Sequence, residues 1–203
     1  QRAKTDGRGP DTPPITQFIK TFESTWGQSY TPGGDPYSTL PNADILWCGY
    51  DSTWGAPVAS IDTSDLSLIG FDYAAIMAAL SSSSTMQKCE LLYRGRYRKV
   101  STGLDIKFIT HDYSSFPGVI DAYNISGSPN THLTFLSTTT LNIANNADYA
   151  TDLGVTVGNQ FKAGTRRGAG IIGQGLGDDS RGHIYGLNSI NRPKLRFTYL
   201  GTG

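Results

Sequence analysis

The segment near the end of the chain constrains the fold more than any other. Residues 192–199, RPKLRFTY, start beside a proline and then alternate Leu195, Phe197 and Tyr199 with polar residues. Proline is tolerated where a strand begins, and a period of two turns one apolar face toward a core. Because this strand comes last in the sequence, it must pair with a strand that comes much earlier. The pattern therefore predicts an antiparallel all-β domain closed by its own last strand, not a βαβ fold.

Composition limits both the fold and the partners. The chain has 203 residues and 24 glycines, and all-β sandwiches of about 200 residues commonly form one domain. Abundant Gly, Ser, Thr and Asn favour strands joined by turns over helices. Lys and Arg number 17 and balance 17 Asp and Glu, so no net field attracts nucleic acid. No apolar run approaches the ~20 residues that span a bilayer, and we expect no membrane insertion.

Two regions differ in composition. Residues 1–14, QRAKTDGRGPDTPP, are polar and rich in Gly and Pro, with little to bury. This composition is typical of a linker, and we expect it to follow a preceding segment. From Ile15 onward, aromatic and β-branched residues recur between turn-rich stretches. Residues 15–203 are therefore predicted to form one β-sandwich domain.

The middle of the chain predicts one helix between two strands. Ser67 to Asp72 is typical of a strand, and Tyr73 to Leu80 has the apolar spacing of a short amphipathic helix. In the strand that follows, Cys89, Leu91 and Tyr93 share one face. The other apolar segments bring the total to about eight to ten strands separated by turn residues. This pattern predicts an antiparallel β-sandwich of jelly-roll type with one short helix.

The two cysteines, Cys48 and Cys89, lie in predicted strands. Two side chains are too few for a structural zinc site. They are either buried free thiols, which pack as small hydrophobic groups, or a disulfide. A disulfide would require their two strands to be neighbours, and the sequence leaves both alternatives open.

The order of these segments resembles a known family. SLIGFD, YAAIMAAL and KCELLY come first, and NQF, GAGIIG, YG and RPKLRFTY follow later. Over about Thr16 to Tyr199, this order is similar to the C-terminal domain of minor tail proteins from phages that infect actinobacteria. It is also similar to the DNRLRE-type carbohydrate-binding jelly rolls of secreted bacterial proteins. The segment from Arg94 to Lys99 departs from the family pattern, which usually has a His-Trp-Tyr-like cluster there.

The resemblance implies a β-sandwich displayed on the tail of the virion, outside the cell, that binds a host cell-surface glycan. It also implies contacts with other virion proteins and assembly as a homotrimer. There are two alternative functions. One is a purely structural virion protein that decorates a capsid or cements a tail, and the other is a secreted bacterial carbohydrate-binding module.

Aromatic residues in turn-rich segments are the first candidates for glycan binding. Sugar rings have apolar C–H faces that stack on flat aromatic rings, and loops on a rigid scaffold often carry binding groups. The candidates are Trp26, Tyr30, Tyr37, Trp54, Tyr113 and Tyr185. Trp54 is flanked by turn residues, which favours exposure, whereas Trp26 and Trp47 are expected to pack in the core.

Basic residues form a second candidate site. Arg94, Arg96 and Arg98 lie beside Lys99 in the densest charge cluster of the chain. At a period of two, the three arginines share one face of a strand, where planar guanidinium groups suit phosphate or carboxylate. The alternative is a solvated sheet face, or an edge strand that charge protects from aggregation.

No motif predicts catalysis or a cofactor. His111 and Asp112 are adjacent, so in a continuing strand their side chains point to opposite faces and form no dyad. The chain lacks the G-x-S-x-G and H-E-x-x-H motifs. Asp35 and Asp178-Asp179 are the candidates for calcium, but neither has the D-x-D-x-D-G spacing, and Asp is common in turns. We expect a binding protein that is not an enzyme and needs no cofactor.

Overall fold

The computed structural model describes residues 15–31, 35–36, 44–49, 65–81, 83–99, 104–120, 131–140, 143–175 and 181–202. The predicted linker at residues 1–14 lies outside these ranges. The strands within them are β1 Ile15–Tyr30, β2 Ile45–Gly49, β3 Leu66–Phe71, β4 Ser83–Lys99, β5 Leu104–His111, β6 Leu133–Thr140, β7 Asp148–Asp152, β8 Gly168–Gly175, β9 Arg181–Tyr185 and β10 Lys194–Thr202. The helices are α1 Tyr73–Leu80 and α2 Val155–Lys162. Neither helix of the described part has the length and apolar character needed to cross a membrane.

The last described strand lies in the middle of the sheet and pairs with two much earlier strands, as its alternating pattern predicted. β10 lies between β1 and β4 and pairs antiparallel with both. Phe197 stands opposite Lys20 of β1 on one side and Cys89 of β4 on the other. Its apolar neighbours Leu195 and Tyr199 are buried with it. The end of the described chain is therefore held by two strands that come much earlier in the sequence.

The described strands form one open antiparallel sheet that folds into two layers. Their order is β2-β9-β4-β10-β1-β3-β8-β5-β6, and β7 also pairs with β4. In β1, Ile15 to Glu23 pair with β10, and Ser24 to Tyr30 pair with β3. The register shifts between Ser24 and Trp26 at the point where the partner changes. Such irregularities bend a strand and allow it to pass from one layer to the other, which produces the predicted all-β sandwich.

The structure confirms the predicted helix α1. It begins after Asp72, whose carboxylate accepts a hydrogen bond from the Ala75 backbone N–H at 3.0 Å. A side-chain oxygen in this position satisfies one of the unpaired N–H groups of the first turn. Ile76 and Leu80, one turn apart, are the buried residues of the helix.

The helix α2 corrects the expectation of a single helix. Its sequence, VTVGNQFK, contains β-branched residues and glycine, which are poor helix formers. Val157 and Phe161 are nevertheless one turn apart and buried in the core. Gly158 lies against Met86 and Cys89 of β4, where an added Cβ would be 2.7 Å from the Met86 side chain. Packing against β4 therefore stabilises a helix that local propensity does not predict.

Buried side chains form two clusters on opposite faces of β3. One face carries Ile69 and Phe71 into the main core between the two layers. The other face carries Leu66 and Leu68 into a second cluster. That second cluster also contains Trp26, Tyr30, Ile109, Ile120, Leu133 and Ile172, with Tyr113, Phe116 and Phe135 packed against it. The segment after β5 thus covers the outer face of the sheet and supplies the walls of a cleft.

Both cysteines are buried free thiols, the first of the two alternatives that the sequence left open. Cys48 lies in β2 and Cys89 in β4, and the described sheet places β9 between these strands. Burial raises the pKa of the Cys48 thiol to about 12 and also raises the pKa of Cys89. Both side chains therefore act as small core hydrophobic groups.

Candidate functional site

A cleft of about 700 Å³ opens on the outer face of the sheet, above the second cluster. We call it the Tyr113 cleft. It lies where three connections meet: the segment after β5, the residues before β6 and the loop between α2 and β8. Its lining residues are Asp112, Tyr113, Ser114, Ser115, Phe116, Pro117, His132, Gly164, Thr165 and Arg167.

Backbone and buried contacts hold the walls of the Tyr113 cleft in place. The hydroxyl of Tyr30 donates a hydrogen bond to the Pro117 carbonyl oxygen at 2.8 Å. The Arg167 backbone N–H donates to the His111 carbonyl oxygen at 2.8 Å, which fixes the loop after α2 to the end of β5. Ile120 is buried in the second cluster and anchors the far end of the segment. The cleft therefore rests on a rigid scaffold rather than on unsupported loops.

Beneath the cleft, two glycines make room for two rings. Gly70 of β3 and Gly168 of β8 stand opposite each other in the sheet. A Cβ at Gly70 would be 1.9 Å from the indole nitrogen of Trp26, and a Cβ at Gly168 would be 2.0 Å from Nε2 of His111. The two rings occupy the space above these glycines, with their centroids 5.3 Å apart. Only residues without a Cβ allow this arrangement.

The imidazole of His111 is uncharged at neutral pH. Burial lowers the pKa of His111 from its ordinary 6.5 to about 4. Its Nε2 lies 3.1 Å from the Ile69 carbonyl oxygen, and because a carbonyl can only accept, Nε2 carries the proton. Nδ1 is buried without a hydrogen-bond partner in the described part of the chain. His111 is thus a fixed, neutral support for the rings above it.

The row of rings continues from the core to the surface. Tyr113 lies 5.6 Å from His111 and 4.8 Å from His132, measured between ring centroids. The side chain of His132 is 48% exposed. Together with Trp26, these residues form an unbroken row that begins in the second cluster and ends in solvent. Two members of this row, Trp26 and Tyr113, were candidates for glycan binding in the sequence, and of these Trp26 is buried.

A hydrogen-bonded pair of side chains borders the exposed end of the row. His132 Nδ1 and Asp112 Oδ1 are 2.7 Å apart. β5 ends at His111, so the strand does not continue through Asp112, and the two side chains contact different partners: His111 the Ile69 carbonyl oxygen and Asp112 the imidazole of His132. Sequence reasoning missed the pair between Asp112 and His132, which are separated by a connection. The sequence contained one indication of this contact: Asp112 directly follows one strand and His132 directly precedes the next.

The other predicted aromatic residues do not join the Tyr113 cleft. Tyr30 is fully buried, so the ring cannot stack on a sugar, and instead it supports the cleft from below through Pro117. Tyr185 lies on β9, where its hydroxyl donates to Asn146 Oδ1 at 3.2 Å. Trp26 is buried, as expected. Tyr37 and Trp54 lie outside the described residues.

Arg94, Arg96 and Arg98, which were predicted to share one face of a strand, do not act as one binding surface. Arg94 contacts both carboxylate oxygens of Asp148, at 3.0 and 2.9 Å. Arg96 places its guanidinium carbon 5.7 Å from the centroid of the Tyr185 ring. The side chain of Arg98 lies outside the described part. The pairing of β4 with β9 shifts register after Gly95, so the strand does not present a regular row here.

A smaller cleft, of about 380 Å³, surrounds Arg94. Leu92, Tyr149 and Ile190 supply much of its lining, and Arg94 and Asp148 neutralise each other within it. Its charged groups are therefore occupied by internal ion pairs, which leaves the Tyr113 cleft as the better candidate for a polar ligand.

Metal binding receives no support from the described side chains. No group of three or more His, Cys, Asp or Glu residues in these ranges could hold an ion. Asp35 is exposed, and Asp178-Asp179 lie outside the described residues.

The sequence matches no protein-family model and no curated protein. The likeness to phage tail domains thus depends on the order of the segments alone.

Proposed function

We propose that this chain is a receptor-binding module of a phage tail, which attaches the virion to a polysaccharide on the host cell surface. The observation that carries the proposal is the row of rings that ends at Tyr113 and His132 in an open cleft. A half-buried aromatic ring beside polar side chains is suited to a sugar, which has apolar C–H faces and hydroxyl edges.

Each part of the cleft has a role in this binding mode. Tyr113 is half-buried, and the part of its ring that the rings of His111 and His132 leave open offers a stacking surface. Asp112 accepts hydrogen bonds from sugar hydroxyls, and its contact with His132 fixes the direction of both groups. Because the scaffold below is already ordered, little conformational entropy is lost when the ligand binds.

Attachment by such a site depends on number rather than on single-site strength. One stacked ring and a few hydrogen bonds to a solvated sugar give weak binding. Several copies on one particle, as in the homotrimer that the resemblance implies, raise the effective concentration at the wall. Avidity gains of about 10² to 10⁴ are typical when the sites can engage together.

The test is binding of the purified 203-residue chain to actinobacterial cells and their isolated wall polysaccharide. We expect saturable binding that Tyr113→Ala weakens at least about tenfold, because the stacking surface is lost. Tyr185→Ala is the matched control, since Tyr185 is a tyrosine outside the cleft. Both variants should keep the wild-type circular dichroism spectrum. Equal binding by Tyr113→Ala and wild type, or no binding to any wall preparation, would contradict the proposal.

A structural role in the virion is the second candidate, and the free edge of β1 favours it. Within the described residues, Ile15 to Glu23 have β10 on one side and no strand on the other. Ile15 and Ile19 are 46% and 62% exposed along this segment. An unpaired edge with exposed isoleucines can pair with another chain. If the chain has a structural role, Ile19→Lys should prevent its incorporation into particles and leave its binding to cell walls unchanged. An Ile19→Lys variant that is incorporated normally but no longer binds walls would instead favour adhesion.

A further inference from the structure

Arg167 is held at the wall of the Tyr113 cleft in an unusual environment. Its guanidinium carbon lies 4.7 Å from the centroid of the Tyr73 ring. Its Nε is buried and has no hydrogen-bond partner in the described part of the chain. The aromatic face favours the positive charge but supplies no acceptor for the N–H groups. Part of the hydrogen-bonding capacity of this side chain is therefore unused.

Three other arginines of the described residues have carboxylate partners. Arg94 contacts Asp148 at 2.9 Å, and Arg196 contacts Glu90 at 2.8 Å. Arg192 lies 3.9 Å from Glu23. No carboxylate of the described part forms an ion pair with Arg167, although a buried donor without an acceptor is destabilising. A negatively charged ligand in the Tyr113 cleft would meet the part of the Arg167 guanidinium that lines the cleft, and not the buried Nε.

The charges around Arg167 favour an anion. Arg166 is its neighbour, and the guanidinium of Arg166 donates to the Thr134 hydroxyl, which holds a second positive charge beside the cleft. Asp112 is the carboxylate among the lining residues, and its Oδ1 is engaged by His132. One carboxylate oxygen of Asp112 is thus engaged by His132, whereas no carboxylate of the described residues pairs with Arg167 at the wall of the cleft.

We propose that Arg167 binds a negatively charged group of the ligand in the Tyr113 cleft, a phosphate or a carboxylate carried by an anionic polysaccharide. This inference rests on the proposed glycan-binding function and names the class of glycan. A guanidinium offers a planar fork that matches both groups, and the ring of Tyr73 orients it. Lysine would keep the charge but lose both the fork and the Nε donor.

The first measurement follows the Nε–H signals of the 203-residue chain, labelled with ¹⁵N-arginine, during titration with inorganic phosphate and with glucuronate. Arg167→Lys assigns the signal of interest. We expect a saturable shift of the Arg167 signal with one or both anions and none with chloride at equal ionic strength. Phosphate and glucuronate in separate titrations distinguish the two sources of charge. A signal that does not move with either anion overturns the inference.

The second measurement compares polymers and variants. Polyglycerol phosphate, polygalacturonate and neutral dextran are the probes, and Arg167→Gln and Arg167→Lys are the variants. Arg192→Gln is the matched control, because it removes an arginine charge outside the Tyr113 cleft. We expect binding to an anionic polymer that Arg167→Gln weakens about tenfold or more and Arg167→Lys weakens partly, with Arg192→Gln close to wild type.

The outcomes separate this inference from the proposed function. Wall binding that Tyr113→Ala weakens and Arg167→Gln does not would overturn the anion site and leave glycan binding intact. A saturable Arg167 shift without binding to any wall or polymer would support the anion site and contradict adhesion. Equal weakening by Arg167→Gln and Arg192→Gln would show a general charge effect and overturn the specific role of Arg167.

Discussion

The indole of Trp26 lies directly above Gly70, so close that a Cβ at Gly70 would be 1.9 Å from the indole nitrogen. The two residues stand opposite each other in the pairing of β1 with β3. The same relationship recurs in the next strands, where His111 lies above Gly168. Two glycines in the middle of a sheet thus create the space on which the row of rings below the Tyr113 cleft depends.

Gly70→Ala should strongly destabilise the protein. The added methyl group overlaps the indole of Trp26, which is buried and cannot move aside without disturbing the second cluster. Overpacking of this kind costs about 3 kcal/mol of unfolding free energy. Urea denaturation followed by tryptophan fluorescence measures it.

Gly118→Ala is the control for Gly70→Ala, because a Cβ there meets nothing within 4 Å. Its unfolding free energy should stay within about 0.5 kcal/mol of wild type. Combining Gly70→Ala with Trp26→Leu should cost less than the sum of the two single changes, since the clash is then relieved. Full additivity would show that the two residues do not compete for the same space.

The stability of the protein should fall as the pH is lowered from about 6.5 to 4, and His111 should be a main cause. Burial lowers the pKa of His111 to about 4 in the folded state, below the ordinary 6.5. The unfolded chain therefore takes up a proton first, and the stabilisation present above pH 6.5 is lost as the pH falls toward 4. The difference between the two pKa values corresponds to roughly 3 kcal/mol of unfolding free energy. Urea denaturation at intervals across this range measures the slope.

His111→Gln removes the titrating group and should flatten the loss of stability between pH 6.5 and 4, although the variant starts from a lower value. His132→Gln is the control, because His132 is on the surface. Its pH dependence should keep most of the wild-type slope. If His111→Gln and wild type lose the same free energy across this range, the imidazole is not held neutral.

Much of the fold was predictable because the alternation of apolar and polar side chains along a strand shows which face of the strand is buried. The apolar period of β10 and the shared face of Cys89, Leu91 and Tyr93 in β4 depend only on which side chains alternate, and all of these are buried. The helix α2 was not predictable, since its β-branched residues and Gly158 oppose a helix locally and only packing against Met86 and Cys89 favours it.

The site was less predictable than the fold, because its residues meet only after the strand order is known. The row from Trp26 to His111 crosses β1, β3, β8 and β5, an order that no local pattern specifies. Tyr30 illustrates the limit: its neighbours after β1 are turn residues, which favoured exposure, yet it belongs to the buried end of the strand. Tyr113 was found because it follows the strand rather than lying in it.

Glu90 is a buried carboxylate on the face of β4 opposite Cys89 and Leu91, and replacing it should be costly. Its side chain is 4% exposed and contacts Arg196 at 2.8 Å and Lys88 at 2.7 Å. The hydrogen bond from Arg196 holds the pKa of Glu90 below 4.5. Its contribution to stability is therefore present above pH 4.5 and lost as the pH falls further.

Glu90→Ala should lower the unfolding free energy by about 1 to 2 kcal/mol at pH 7, because the hydrogen bonds from Arg196 and Lys88 are lost while both cations stay partly hydrated. Glu23→Ala is the matched control. Glu23 also joins a strand to β10, through Lys194 at 2.9 Å, but its side chain is 56% exposed. Exposed pairs contribute at most about 1 kcal/mol, so the control should change little. Similar losses from the two variants in urea denaturation would mean that the burial of Glu90 does not strengthen its contacts.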